Sequence, residues 1–212
     1  LVRRLLASKI EQPLLHRAAG LITVNPSVEQ VLSERYEIPD RRAVVYNCVD
    51  PLVSPVRPRE LRDAIGLSDD TPIALYHGGF SPVRGLRQII DAAVDPRLEN
   101  IHVAFLGYGP MEAELRTLAA RPDVAGRIHV LKAVSPEVLD RWVAGADVGL
   151  MPNQHETLNE YVSTPNKLFE SIGVGTPVVS SDFPERRRII LDGPEGPLGA
   201  LCNPSDPADI AR

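Results

Sequence analysis

The stretch Ser163–Glu170, STPNKLFE, sets an amide, an ammonium and a carboxylate along one polar loop and the helix it opens. A helix start offers unpaired backbone N–H groups and the positive end of the helix dipole. Asn166 and Lys167 at that start therefore make a phosphate site. Glu170 falls about one turn farther in, where a carboxylate, an acceptor only, suits a hydroxyl of the same ligand. The chemistry expected here is capture of a diphosphate joined to sugar. Lysine usage points the same way: Lys9, Lys132 and Lys167 are the three lysines among 23 basic residues, and two of them fall in loops around the expected crevice. A compact ammonium meets a phosphate oxygen as a point charge.

These residues must be held by a regular frame. From Glu60 onward, strands are expected at residues 73–76, 101–106, 128–131, 148–151, 177–180 and 199–202, and helices at 84–93, 111–120, 136–144 and 167–172. Short apolar strands separated by helices predict an α/β fold, a doubly wound, Rossmann-like parallel sheet covered on both faces. Ligands of such sheets bind beyond the carboxyl ends of the strands. Those ends carry His77-Gly78-Gly79-Phe80-Ser81, Gly107-Tyr108-Gly109-Pro110, Lys132-Ala133-Val134, the loop from Pro152 to Pro165, and Ser181-Asp182. All are small, polar or glycine-rich, as the lining of a crevice would be.

The first fifty residues read differently. A helical pattern, LVRRLLASKIEQPLLHRAAG, is followed by a strand at 21–24, a helix opened by Asn25-Pro26-Ser27, and a strand at 43–46. A proline-rich stretch through Pro58 marks a boundary near residue 50. Residues 1–50 are expected to be the last unit of a preceding domain, residues 51–212 a second domain, and the chain the middle of a longer protein. Two arginines beside Leu5, Leu6 and Ile10 fit either a soluble amphipathic helix or one lying on a membrane surface.

Composition excludes several classes. A net charge of −5 lacks the basic excess of a nucleic-acid face. No apolar run approaches the roughly 20 residues that span a bilayer, and no secretory signal is visible. Cys48 and Cys202 match no metal spacing and read as reduced thiols of a cytoplasmic protein. The five histidines show no paired ligand spacing. His102 and His129 read as strand residues, while His77, before two glycines, is open to either core or crevice. No Walker-type phosphate loop is present.

In YHGGFSPVRGLRQIIDA, the FLGYGP turn, the DVGLMPN strand end and PNKLFESIGVGTPVVSSDFPE, the chain resembles the C-terminal half of a family 4 (group 1) glycosyltransferase of the GT-B fold. The opening LITVNPSVEQVLSERYEIPDRRAVVYNCVDP is similar to the final unit of that family's N-terminal domain. The resemblance implies transfer of a hexosyl group, with retention, from a nucleoside diphosphate sugar to an acceptor hydroxyl. The donor is the substrate, no cofactor or metal is needed, and the acceptor is unidentified. Residues 51–212 would bind the donor, with residues 1–50 a remnant of the acceptor side, so that the isolated chain would be inactive.

Residue by residue, the resemblance makes Glu170 the second glutamate of a Glu-x7-Glu motif, accepting from ribose hydroxyls. Arg84 and Lys167 would stabilise the departing diphosphate. Gly78, Gly79, Phe80, Pro165, Asn166 and Leu168 would complete the donor contacts, and Lys132 and Val134 would cradle the base. Two departures stand out. The first glutamate of the motif, which contacts the transferred sugar, is replaced by Val162, leaving Glu156, Asn159 or Glu160 as substitutes. Gly79 stands where many relatives carry a phosphate-directed arginine, while Arg84 replaces their lysine. Two other classes fit less of the pattern: a non-catalytic nucleotide-sugar-binding module, and a sugar-nucleotide epimerase on the same fold. Peripheral membrane association belongs to the expectations for the full-length protein.

Overall fold

A computed structural model describes residues 2–51, 57–193 and 196–212, with side chains from residue 10 onward. The arginine and leucine side chains that raised a membrane-surface reading lie outside the described residues, as does much of the proline-rich boundary segment. None of the described helices is long and apolar enough to cross a membrane.

The chain opens with α1 (Val2–Arg17), β1 (Leu21–Thr23), α2 (Pro26–Arg35) and β2 (Arg42–Val44), the two strands pairing in parallel. Asn25 starts α2 as its sequence suggests. Its Oδ1 accepts from Val28 N at 2.8 Å, and Pro26 takes the first helical position, where a missing N–H costs nothing. Asn25 is fully buried and its Nδ2 donates to the Val162 carbonyl at 2.9 Å, tying this unit to the far part of the chain.

The main sheet follows: α3 (Glu60–Ile65), β3 (Ile73–Gly79), α4 (Leu86–Ala92), β4 (His102–Tyr108), α5 (Glu112–Ala119), β5 (Ile128–Lys132), α6 (Pro136–Ala144) and β6 (Val148–Met151). It closes with α7 (Leu158–Val162), α8 (Asn166–Gly173), β7 (Val178–Ser181), α9 (Pro184–Leu191), β8 (Gly199–Cys202) and α10 (Pro207–Ile210). The strand order is β5-β4-β3-β6-β7-β8, and every pairing is parallel. The chain winds outward from β3 to β5, then returns to β6 and winds the other way. The expected doubly wound sheet is therefore present, and its switch point lies between β3 and β6.

Burial on both faces explains the run Ile73–His77, in which every residue is buried. Tyr76 packs with Phe80, Leu86 and Phe105 on one face; Ile73, Leu75 and Leu106 pack with Leu61 and Val143 on the other. Helices α3, α7, α9 and α10 have no counterpart in the expected elements. The expected helix from Arg84 to Ala93 is interrupted: Pro82–Arg84 forms a 3-10 turn, Gly85 takes the left-handed φ of 72°, and α4 starts only at Leu86. A Cβ at Gly85 would stand 2.0 Å from the Pro152 carbonyl oxygen, so only glycine permits this close crossing. Arg84 consequently sits on a separate turn, not in the first turn of a helix whose dipole would oppose it.

Candidate functional site: a cationic cavity at the switch point

A cavity of about 470 Å³ opens over the carboxyl ends of the central strands. Its floor is the end of β3, His77-Gly78-Gly79, and one wall is the start of α8, Pro165-Asn166-Lys167 with Glu170. Arg84, Asn159, Glu160 and Ser163 close a second side. Leu106, Val134 and Leu139 give the remaining side an apolar surface, with Tyr108 at its rim, 70% exposed. Polar and cationic groups thus face an apolar wall across one opening.

Lys167 is the most unusual member. It is 8% exposed, and its Nζ has no hydrogen-bond partner among the described residues. The ammonium lies 3.8 Å above the centroid of the Tyr76 ring, a cation–π contact. A Cβ at Gly78, whose φ is 115°, would come within 3.3 Å of Nζ, so the glycine leaves the ammonium its room. Burial, above all, pushes the Lys167 pKa well below its ordinary value, and the charges of Arg84 and Arg186 push it further. An ammonium held dry beside a helix N-terminus is a site for an anion.

Glu170 sits one turn along α8 and is anchored from β3. Its Oε2 lies 2.8 Å from His77 Nε2. His77 is 3% exposed and desolvation lowers its pKa, outweighing the hydrogen bond to Glu170 that raises it. The neutral ring then donates its Nε2–H to the carboxylate, leaving the second oxygen of Glu170 for a ligand. His77 thus belongs to the crevice, through this bond.

Arg84 Nη1 contacts Glu160 Oε2 at 3.3 Å, and Asn153 Nδ2 donates to the same oxygen at 3.1 Å. Below them lies Arg186, fully buried, its Nη1 donating to the Met151 carbonyl at 3.2 Å. Desolvation holds its pKa down to about 10, with Glu160 opposing that shift. Arg186 Nε and Nη2 have no partner among the described residues. Asn153 and Arg186 carried no signal in the sequence reading. A middle arginine in the run Arg186-Arg187-Arg188 looks like any solvated helix face, and only the turn from β7 into α9 points it inward.

Of the residues expected at the site, Arg84, Lys167, Gly78, Gly79, Val134, Pro165, Asn166 and Glu170 are brought together around the cavity. Three lie elsewhere. Phe80 is fully buried between Tyr76 and Phe105, because the chain turns inward after Gly79. Leu168 faces the core with Met151, Val178 and Ile190 on the opposite side of α8 from Lys167 and Glu170. Lys132 ends β5 exposed, outside the cavity wall that Ala133 and Val134 form. Val162 is buried, and Glu156 is exposed and away from the cavity. Among the described residues no group of three or more His, Cys, Asp or Glu could hold a metal ion.

The chain is 26% identical over 196 residues to D-inositol 3-phosphate glycosyltransferase 2 of Catenulispora acidiphila, covering 87% of this chain and 40% of that protein. It is 27% identical over 217 residues to the D-inositol 3-phosphate glycosyltransferase of Geodermatophilus obscurus, covering 95% and 46%. The chain thus spans less than half the length of these relatives. Among solved structures, Anabaena Alr3699/HepE in complex with UDP-glucose superposes with a TM-score of 0.74 at 19% identity, over 96% of this chain and 55% of that one. Sucrose-phosphate synthase from Thermosynechococcus elongatus gives 0.74 at 18%, over 96% and 50%. These two share the fold, the Rossmann-like half of a GT-B architecture. The model of a protein family, Glycosyl transferases group 1, matches residues 71–212, which contain the whole six-stranded sheet and every wall of the cavity, and the chain belongs to that family.

Proposed function

We propose that this chain is the donor-binding half of a retaining glycosyltransferase that moves a hexosyl group from a nucleoside diphosphate sugar to an acceptor hydroxyl. Residues 51–212 hold the donor, and residues 1–50 belong to the acceptor side. The observation that carries this reading is the Lys167 ammonium, buried and unpartnered beside the N-terminus of α8. Such a charge is costly in the free protein and is repaid by an anion that arrives with two or more phosphoryl oxygens. The structure of Anabaena HepE with UDP-glucose supports a nucleotide-sugar donor, since that protein has the same fold.

In this reading Lys167 and the first N–H groups of α8 face the diphosphate, and Arg84 reaches it from the opposite wall. As the glycosidic bond breaks, negative charge grows on the leaving diphosphate, and these donors stabilise it where water is excluded. Glu170, fixed by His77, accepts from ribose hydroxyls. Leu106, Val134 and Leu139 cover the base.

The test is calorimetric titration of the chain with UDP, GDP, ADP and their sugar conjugates, beside Glu170→Ala and Arg84→Ala. One nucleotide should bind saturably, and each substitution should weaken it by about 1–3 kcal/mol, the worth of a hydrogen bond to a charged group. Binding untouched by either substitution would move the donor elsewhere on the molecule.

A further inference from the structure

Glu160 departs from what its position in α7 would make of it. Thr157 caps this helix, its Oγ1 accepting from Glu160 N at 3.2 Å, and Glu160 is the third helical residue. A threonine cap with a glutamate at that place ordinarily forms a reciprocal pair, the carboxylate turning back to the cap's own N–H. Here the carboxylate turns the other way. It is 8% exposed, it lines the cavity, and one oxygen, Oε2, takes both Asn153 Nδ2 and Arg84 Nη1. The other oxygen, Oε1, has no hydrogen-bond partner among the described residues. A helix has given up a local bond, and a buried carboxylate has been set in a wall with one oxygen uncommitted.

The neighbouring positions explain why this residue is the one available. Val162 is buried, and its carbonyl is engaged by Asn25, so position 162 faces the protein interior. Glu156 is exposed and away from the cavity. Arg84 is held by a single contact at 3.3 Å, longer than the usual charge-assisted bond, so a diphosphate offering a bidentate partner will draw it away. Asn153 then keeps the carboxylate in place while its free oxygen faces the cavity next to the phosphate site, where the sugar of a bound donor must lie.

Resting on the donor-site reading above, we propose that Glu160 is the specificity-determining residue for the transferred sugar. It accepts a hydroxyl of a neutral sugar and rejects sugars that bring a second carboxylate. An acidic sugar would place like charge against a buried carboxylate whose cation has moved to the phosphates, and such an arrangement selects by repulsion.

The experiment compares UDP, UDP-glucose and UDP-glucuronate by calorimetry on the wild-type chain and on Glu160→Gln, with the GDP and ADP series run if UDP does not bind. Glutamine keeps the shape and removes the charge. The variant should bind the bare diphosphate as tightly as wild type or more tightly, because a negative charge near the phosphates is gone and Arg84 is released. It should lose about tenfold of the advantage that glucose adds, and its discrimination against glucuronate should shrink. This opposition of signs is a readout that general damage to the site does not produce. Equal weakening of nucleotide and conjugate would make Glu160 only a support for Arg84 and overturn the proposal, as would an unchanged ratio between them. If no nucleoside diphosphate binds the wild type, the donor-site reading itself falls, and the proposal with it.

Discussion

Replacing Lys167 by methionine should stabilise the chain while damaging its site. Methionine matches the lysine stem in length and removes the charge. Taking an ammonium out of water costs several kcal/mol even after relaxation, and the cation–π contact at 3.8 Å to Tyr76 returns about 2 kcal/mol of it. No hydrogen bond offsets the rest, since Nζ has no partner among the described residues. A net gain of about 2 kcal/mol on substitution would raise the melting temperature by about 4–8 °C for a chain of this size. The sign also fixes a pH dependence. The folded pKa of Lys167 is depressed from 10.5, so the unfolded chain binds more protons between those two values. Stability therefore rises with pH across that window in the wild type, and the cost is complete below the folded pKa. Lys167→Met should flatten this rise. Diphosphate affinity should fall about tenfold to hundredfold, the loss of one charge-assisted hydrogen bond. Scanning calorimetry with and without UDP reads both effects. A variant that melts lower and binds UDP unchanged would refute the idea that this ammonium is held in wait for an anion.

Two further outcomes follow from neighbouring contacts. His77→Phe removes the 2.8 Å bond that orients Glu170; nucleoside diphosphate binding should weaken about tenfold while inorganic pyrophosphate, which has no ribose, binds as before, both read by titration calorimetry. Gly85→Ala forces a side chain into a φ of 72° and against the Pro152 carbonyl; chemical denaturation should show a loss of about 2–4 kcal/mol, and an unchanged midpoint would mean that the crossing of these loops is looser than described.

The doubly wound sheet was legible because its strands are buried on both faces, and runs such as IALYH and HVAFL have few other uses. The start of α8 at the cavity wall was legible for a similar reason: proline, asparagine and lysine at a helix start have a local physical meaning. What could not be read depends on partners distant in sequence. Glu160 meets Arg84 across 76 positions, and His77 meets Glu170 across 93. Phe80 and Leu168 stand inside motifs whose neighbours face the cavity, yet the turn that follows β3 and the step of about 100° per residue around α8 point these two inward. The break at Gly85 has no unambiguous signal, because a glycine after a proline-led turn reads equally as a loop end or as a helical position. Arg186 is hidden by composition, since two neighbouring arginines mask the one that is buried.

The contacts between the two-stranded unit and α8 have a mechanical consequence. Asn47 Nδ2 donates to Asn166 Oδ1 at 2.8 Å, and the Tyr46 ring meets Phe169 edge-on at 5.8 Å. Asn166 is the first residue of the helix that carries Lys167 and Glu170. The helix that would grip a donor is thus also the joint on which the neighbouring unit bears. Any rotation at that joint must break or remake a hydrogen bond at the mouth of the cavity. Movement on one side of the molecule would thereby reach the helix on the other through this amide pair and the aromatic contact beside it.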